Sequence, residues 1–268
     1  MAVASDYGGL WAWLKGDTGF VDQSGNSRTI TLPGTTHNPT IVTGAANGHD
    51  VMQFVATSQQ YFTLPSMTAL TAGELYIVMK RDSRLPPNDA QSGFIMMGTA
   101  GALPHSAVPY SDNNIYEGFG TTARKVVSEG TLDLSSHYAV YNVRSASGSY
   151  AIGVDGTDLL TSATNTVGFP STPVVGAGLP VAGYFPGRMA EIIIYDQIRT
   201  SVERAALIAS LMHTYSPNLA RVTATGLSAL VDVLQPIPAA RVTASGLSVL
   251  VLPSLVTGGK LVRAYLID

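Results

Sequence analysis

The chain has 268 residues and a formal net charge of −3, with 12% charged residues, 46% hydrophobic residues and no cysteine. This length accommodates one large domain and a small appendage, while the low charge and the frequent Gly, Pro, Thr, Ser and Val favour strands and turns over coiled coil or disorder. The composition excludes disulfides and thiolate metal sites, leaves the redox compartment open, and gives no electrostatic signature of binding to nucleic acid or an anionic membrane.

The N-terminus has neither the basic start nor the long apolar run of a signal peptide. No segment reaches the roughly 20 apolar residues of a membrane span. We therefore expect a soluble protein that uses no classical leader.

Short strands separated by turns are predicted along most of the chain. Residues 10–14, LWAWL, are apolar on both faces, which predicts a sandwich strand with Trp11 and Trp13 on one side. Residues 33–48, 82–92 and 100–114 have the Gly, Pro and Asx content of loops. Asp155-Gly156 is a hairpin signal. Further strands are predicted at residues 51–55, 61–64, 74–81, 94–98, 115–119, 125–128, 138–145, 150–154, 158–161 and 174–176.

The stretch 187–215 combines a buried strand with the one convincing helix. Residues 192–194 are all isoleucine, as in a strand covered on both faces. Thr200 and Glu203 form a capping box, and Pro217 ends the helix. Such a helix after many strands predicts a lid that closes an all-β body. Its apolar face is predicted to contain Val202, Ala206, Leu207, Ala209, Leu211 and Met212.

Two near-identical segments follow the helix. Residues 220–231, ARVTATGLSALV, and 240–251, ARVTASGLSVLV, agree at ten of twelve positions. Each predicts a strand, a turn and a strand, and residues 260–267 predict a final strand. Units this small do not bury their own apolar face, so a partner surface is expected. We place a domain boundary here, with a body at residues 1–216 and a repeat tail at 217–268.

The body resembles the laminin-G-like, or concanavalin A-like, jelly roll over residues 6–215. The resemblance is carried by LWAWLKGD, VDQSGN, VMQFVATSQQYFTLP, VDGT and MAEIIIYDQIRTSVERAALIASLMHTY. It implies an all-β fold, a two-sheet concanavalin A-like jelly-roll sandwich with one C-terminal helix, followed by the small β-repeat tail. IYEGFGTTARK and residues 137–169 are similar to jelly-roll proteins of tailed phages, and the repeats resemble segments that end phage structural proteins.

Signatures of catalysis are absent from the sequence. Glycanases of this fold resemble one another in a Glu-x-Asp-x-x-Glu strand, and none of the five glutamates here is followed two residues on by Asp. Glu191 is interpreted as a structural hydrogen-bond partner. The histidines have no paired metal-ligand spacing, and Gly118-Phe119-Gly120 precedes a predicted strand rather than the helix of a dinucleotide site. We expect no enzymatic activity.

Two weaker site predictions fall in loops. Calcium-binding jelly rolls resemble one another in using loop carboxylates and carbonyls, and the candidates are Asp22, Asn26, Asp112 and Asn114, with Asx turns without metal as the favoured interpretation. Otherwise no cofactor is expected. Tyr110 and Tyr116 flank Asp112 and Asn114, which makes these four residues the candidate glycan-binding set.

Taken with the resemblance, these features predict a structural protein on a phage virion surface, decorating head or tail. The tail would anchor the protein to other phage structural proteins or to sister chains by strand addition. We expect a homo-oligomer, with a trimer as the predicted state. The alternative is a carbohydrate-binding receptor that recognises host surface glycans through loops 82–92 and 100–114. The anchoring residues predicted in the tail are Arg221, Val222, Leu227, Leu230, Arg241, Val242, Leu247 and Leu250.

Overall fold

The computed structural model describes residues 2–84, 93–101, 104–130, 132–178 and 183–216, together with the backbone of four short strands after residue 216. The chain divides into two compact units, Met1–Tyr215 and Ser216–Asp268, which we call the body and the tail. No helix in the described ranges is long and apolar enough to cross a membrane.

The body is a sandwich of two antiparallel sheets. Within the described residues, sheet A contains eight strands: β1 (Leu10–Lys15), β2 (Thr40–Ala46), β3 (His49–Phe54), β5 (Ala72–Arg81), β10 (Ala139–Ala146), β11 (Ser149–Val154), β12 (Thr157–Ser162) and β14 (Gly187–Tyr195). Sheet B contains six: β4 (Phe62–Thr63), β6 (Gly93–Met96), β7 (His105–Ala107), β8 (Asn114–Glu117), β9 (Lys125–Ser128) and β13 (Val174–Val175). The strand order is β12-β11-β10-β5-β14-β3-β2 in sheet A, with β1 also on β14, and β4-β13-β6-β7-β8-β9 in sheet B. Short 3-10 helices lie at Ala4–Asp6, Gly16–Thr18 and Ala56–Ser58, and helix α1 spans Ser201–Tyr215.

The central strands of sheet A are buried on both faces. In β5, Leu75 and Ile77 pack into the core between the sheets, whereas Tyr76 and Val78 pack into a second core on the outer face. This alternation follows from the two-residue period of a strand. In β14, Ile192 and Ile194 join the first core and Ile193 the second. The predicted all-β sandwich with a late helix, and its doubly buried strand, are confirmed.

Helix α1 covers the outer face of sheet A rather than one end of the sandwich. Its start follows the predicted capping box. The Thr200 hydroxyl accepts the Glu203 N–H at 3.2 Å, and the Glu203 carboxylate accepts the Thr200 N–H at 2.9 Å. The helix therefore supplies the layer that buries the second face of β5 and β14.

The predicted apolar face of α1 is partly wrong. The buried apolar side chains are Leu207, Ile208, Leu211 and Tyr215. Met212 is half-buried, and the other predicted members, Val202, Ala206 and Ala209, are exposed. The reason is Arg204, which lies one turn before Ile208 and faces sheet A because it pairs with the buried Glu74 at 2.6 Å. A buried ion pair thus sets the rotation of the helix.

The predicted placement of Trp11 and Trp13 on one side of β1 is also wrong. The pairing of β1 with β14 shifts between Leu10 and Ala12, so Trp11 is an extra residue in the ladder. Such a bulge reverses the alternation of side chains. Trp11 therefore packs in the core between the sheets, whereas Trp13 packs on the side of α1.

Two strands lie where loops were predicted. Strand β2 is a sheet edge with mostly exposed side chains, and its pairing with β3 is irregular around Gly44, which has φ 65°. Strand β7 is three residues long. The sequence lacks an apolar alternation at β2 because an edge strand buries little of either face. Loop 82–92 lies outside the described residues from residue 85 onward.

The tail contains four described strands, β15 (Thr223–Ala224), β16 (Ala240–Ala244), β17 (Leu247–Val251) and β18 (Tyr265–Leu266), in that order across one sheet. The two strands predicted in the second repeat are confirmed as β16 and β17, which pair antiparallel, whereas residues 245–246 between them lie outside the described residues. Strand β15 pairs with β16 in parallel, Thr223 with Thr243 and Ala224 with Ala244. Each described residue of the first repeat thus pairs with its equivalent in the second.

Candidate functional site

The four predicted glycan-binding residues lie together where β7 leads into β8. Backbone hydrogen bonds close the turn, from Tyr110 N–H to the Asn114 carbonyl at 2.8 Å and from Asn113 N–H to the Tyr110 carbonyl at 3.0 Å. Asn113 has φ 65°, a conformation that Asn adopts more readily than most residues. In β8, Ile115 packs inward, so its neighbours Asn114 and Tyr116 point away from the core.

Asp112 connects the polar groups of this turn. Its carboxylate accepts the Asn114 N–H at 3.0 Å, the Asn114 side-chain amide at 2.9 Å and the Tyr116 hydroxyl at 2.7 Å. Burial acts to raise the pKa of Asp112, but the hydrogen bonds from Tyr116 and Asn114 outweigh it and hold the pKa below its usual value. The hydrogen bond to Asp112 in turn raises the pKa of Tyr116. At neutral pH the turn thus presents a carboxylate beside a phenol.

The two tyrosine rings form an edge-to-face pair. Their centroids are 5.6 Å apart and their planes are at 88°. Both side chains are half-buried, which leaves aromatic surface beside the polar groups of Asp112 and Asn114. Aromatic rings next to hydroxyl and amide partners are the surface that a sugar ring requires, with an apolar face and a polar rim.

Sequence reasoning missed two members of this site, Arg124 and His105. The guanidinium carbon of Arg124 lies 4.3 Å from the centroid of the Tyr116 ring, and its Nη1 lies 3.3 Å from Nε2 of His105. Arg124 stands just before β9 and His105 begins β7, on either side of β8. In the sequence, the only sign of Arg124 was a basic pair, Arg124-Lys125, next to a predicted strand. This pair does not indicate that Arg124 lies beside Tyr116.

His105 is 1% exposed, and it contacts Arg124 from the buried side of the site. Burial, and then the charge of Arg124, lower its pKa to about 4, so the imidazole is neutral at neutral pH. Nε2 then accepts a hydrogen bond from Arg124, and the ring proton lies on Nδ1, which has no hydrogen-bond partner within the described residues. We refer to Tyr110, Asp112, Asn114, Tyr116 and Arg124 as the tyrosine surface.

The candidate calcium residues are engaged in turns. Asp22 accepts backbone N–H groups from Trp13, Ser24 and Arg28 at 2.9–3.0 Å, and the Asn26 amide donates to the carbonyls of Leu10 and Trp11. The Asp112 carboxylate likewise accepts three hydrogen bonds within its turn, from the Asn114 N–H, the Asn114 side-chain amide and the Tyr116 hydroxyl. No group of three His, Asp or Glu side chains that could hold a metal occurs in the described ranges. The geometry favours the Asx-turn interpretation at both loops.

Three buried glutamates serve as internal hydrogen-bond acceptors. Glu191 accepts the Trp13 indole N–H at 2.5 Å and the Tyr215 hydroxyl at 2.7 Å, which confirms its predicted role as a hydrogen-bond partner. Glu117 accepts from Ser106, Tyr141 and the Phe119 N–H. Glu74 is held by the ion pair with Arg204. The donors come from neighbouring strands and α1, so these carboxylates join elements of the body.

A groove separate from the tyrosine surface lies on the outer side of β10, β11 and β12. This groove has a volume of about 580 Å³ and contains two arginines. Arg144 pairs with Asp158 at 2.6 Å, and Arg204 pairs with Glu74 at the same distance. Because both cations already have carboxylate partners, the groove offers fewer free charged groups than the tyrosine surface.

The predicted tail anchors are placed only in part. Arg221, Val222, Leu227 and Leu230 lie outside the described residues. Arg241 and Val242 belong to β16, where they pair with Leu250 and Val249 of β17, and Leu247 pairs with Ala244. The predicted anchors of the second repeat thus share one hairpin.

No protein-family model and no curated protein matches the sequence. Solved structures do match. Domain 4 of an extracellular arabinanase from Geobacillus stearothermophilus, in complex with arabinotriose, has a TM-score of 0.57 and 14% identity and covers 74% of this chain and 98% of its own. The receptor-binding domain of a botulinum neurotoxin of mosaic serotype C/D has a TM-score of 0.57 and 9% identity and covers 78% of this chain. Trypanosoma rangeli sialidase has a TM-score of 0.55 and 14% identity, with 80% of this chain covered.

The chain spans 52% of the length of the neurotoxin domain and 34% of that of the sialidase. At these identities the likeness shows the fold alone. It confirms that the chain contains a jelly-roll sandwich of the concanavalin A-like kind, a fold shared with carbohydrate-binding and receptor-binding domains.

Proposed function

We propose that the body is a non-enzymatic glycan-binding module and that the tyrosine surface is its binding site. The observation that carries this proposal is the convergence of the paired rings of Tyr110 and Tyr116 with the carboxylate of Asp112 and the amide of Asn114. A sugar ring would lie against the aromatic surface, and one of its hydroxyl groups would donate a hydrogen bond to the Asp112 carboxylate.

The fold comparison supports this proposal at the level of the scaffold. Domain 4 of the arabinanase was solved with arabinotriose, and the binding domain of botulinum neurotoxin DC was solved in complex with SialylT. Function belongs to sites rather than to folds, so the proposal depends on the tyrosine surface and its test.

The test is glycan binding by the full chain, first on an array of bacterial and animal glycans and then by titration calorimetry with the best ligand. Tyr116→Ala should weaken binding at least about tenfold, because it removes both the stacked ring and a partner of Asp112. Tyr61 and Tyr184 form another half-buried tyrosine pair, with centroids 6.3 Å apart, so Tyr61→Ala is the matched control and should bind normally. Absence of glycan binding by the wild-type chain would reject the proposal.

The absence of catalysis is part of the proposal. The expected result is that oligosaccharides recovered after prolonged incubation with the chain are unchanged in length. Release of sugar that is lost in Glu191→Gln, in a variant that still folds, would instead indicate a glycosidase.

A second candidate function, a structural protein of a phage virion surface, is favoured by the tail. The parallel, in-register pairing of β15 with β16 shows that repeat strands accept their own equivalents as neighbours. Strand addition of the same kind would join the tail to sister chains, as a trimer for example, or to other phage structural proteins. The body would then project from the particle and make contact with host glycans.

Mass analysis of purified particles tests this second function, which predicts the chain at a fixed stoichiometry. Val242 lies inside β16, between β15 and β17, so Val242→Pro removes a backbone donor from the sheet. This variant should lose particle association while it keeps glycan binding. A chain that is absent from particles would exclude the virion function without affecting glycan recognition.

A further inference from the structure

Arg124 differs from the other arginines of the body in the groups that it contacts. Each of the others donates to an oxygen atom, as Arg28 does to the Trp11 carbonyl, Arg188 to the Gln53 side chain and Arg144 to Asp158. Within the described residues, Arg124 contacts only the Nε2 atom of His105 and the face of Tyr116. No ion pair in this part of the chain includes it. Most of its five N–H donors are therefore available to a ligand.

The guanidinium is also held in place by uncharged groups. Its central carbon lies 4.3 Å from the centroid of the Tyr116 ring, and its Nη1 lies 3.3 Å from Nε2 of His105, which is 1% exposed. A planar guanidinium fixed in this way presents paired N–H donors that match the two oxygens of a carboxylate. A preorganised cation without an internal partner is costly to maintain unless it binds an anion, because its hydration is reduced by half-burial.

Asp112 and Arg124 contact different parts of Tyr116, so the two ends of the tyrosine surface carry opposite charges. Its carboxylate is bonded to the hydroxyl end of Tyr116, whereas Arg124 stacks on the ring. A ligand that lies across Tyr116 thus meets a hydrogen-bond acceptor, Asp112, at one end and a cation, Arg124, at the other. A sugar with hydroxyls on one side and a carboxylate on the other satisfies both groups.

From this arrangement we infer that the tyrosine surface selects carboxylated sugars, a class that includes uronic and sialic acids, through a bidentate contact with Arg124. The inference rests on the proposed glycan-binding function and specifies its ligand class. A neutral sugar would still stack on the tyrosines but would leave the guanidinium unpaired. A charge-assisted hydrogen bond contributes about 1.5–3 kcal/mol, which corresponds to a preference of roughly tenfold or more for the acidic sugar.

The experiment compares matched probes by titration calorimetry with the full chain. The pairs are sialyllactose with lactose, and an oligogalacturonate with its carboxyl-reduced form. The wild-type chain should bind the acidic member of at least one pair roughly tenfold more tightly, and the preference should shrink at high salt. Arg124→Gln should abolish the preference for the acidic member, whereas Tyr116→Ala should weaken the binding of both members.

Two further variants separate the specific role of Arg124 from a loss of folding and from a change in net charge. Arg124→Lys keeps the charge without the planar stacked group and should retain only part of the preference. The guanidinium carbon of Arg28 lies 4.6 Å from the centroid of the Trp11 ring, so Arg28 is likewise an arginine over an aromatic ring. Arg28→Gln is therefore the matched control and should keep the full preference. Equal affinity of the wild-type chain for acidic and neutral sugars would overturn the inference and leave glycan binding intact. Failure to bind any glycan would instead overturn the proposed function.

Discussion

Arg204 of α1 donates to Glu74 of β5 at 2.6 Å, and this ion pair attaches the helix to the centre of sheet A. The Glu74 side chain is completely buried, and its carboxylate also accepts the Tyr76 hydroxyl at 2.6 Å and the Arg199 N–H at 2.6 Å. The donors come from the strand, from the segment before the helix and from the helix itself. Glu74 is thus the point at which the second core is closed.

Arg204→Leu should destabilise the body by about 3 kcal/mol, because removal of one member leaves a buried carboxylate without its countercharge. The matched control is Arg144→Leu. The Arg204 and Arg144 side chains are each 14% exposed, but Asp158, the partner of Arg144, is 42% exposed and Glu74 is not exposed. The control should therefore cost less than about 1 kcal/mol in urea denaturation. Equal losses in the two variants would contradict the assigned role of Glu74.

Glu129 should make the body less stable as the pH rises. The residue is 2% exposed, and neither carboxylate oxygen has a hydrogen-bond partner within the described residues. Burial raises the pKa to about 7, against the opposing charges of Arg81 and Arg84 and with a small contribution from Asp133. Between the ordinary glutamate pKa and this value the folded state binds more protons than the unfolded state, so the free energy of unfolding falls as pH increases.

Glu129→Gln removes this titration. The difference in melting temperature between variant and wild type should move in favour of the variant from pH 5 to pH 8. A constant difference across this range would show that Glu129 does not titrate in the folded chain as proposed.

His105 should produce the opposite slope at lower pH. Its pKa is about 4 in the folded chain, against about 6.5 for an unperturbed histidine, so between these values the unfolded state binds more protons. Stability is therefore lost as the pH falls from 6.5 towards 4. His105→Gln should flatten this part of the profile, measured by urea denaturation at pH 4.5 and 7.

Much of the fold followed from local patterns because each pattern acts over a few residues. The Thr200–Glu203 capping box formed as predicted. The Asp155-Gly156 turn did too, with φ 49° and 81° at its two residues, as a two-residue hairpin turn requires. The cluster from Tyr110 to Tyr116 was predictable because a single turn brings its members together.

The remainder depends on contacts between distant segments. Arg124 and His105 meet only because β7 and β9 flank β8, a register that residue types alone do not specify. The buried face of α1 was mispredicted because the polar Arg204 lies on that face, where it pairs with the buried Glu74. The sequence does not show that a carboxylate of sheet A lies opposite this position. The bulge at Trp11 similarly inverts an alternation that the sequence shows as regular.

The glycines that mimic a dinucleotide fingerprint have a structural role in the body. Lys125–Ser128, which follows them, is a strand, so the helix that a phosphate site requires is missing from this position, as predicted. Gly120 has φ 60°, and a Cβ there would lie 2.5 Å from the Phe169 ring and 2.8 Å from the Ser145 hydroxyl. A Cβ added at Gly118 would likewise lie 2.5 Å from the Pro104 carbonyl oxygen. Both positions therefore require glycine for close packing within the body.

Gly120→Ala should therefore destabilise the body by at least about 2 kcal/mol, the sum of left-handed backbone strain and displacement of Phe169. Gly19 provides the matched control, since it has φ 70° but no atom of the described residues within 4 Å of the position that an added methyl group would occupy. Gly19→Ala carries only the backbone contribution of about 1 kcal/mol. Urea denaturation of the two variants measures the difference directly. If both variants lose the same stability, the close approach of Gly120 to Phe169 and Ser145 contributes nothing to the stability of the body.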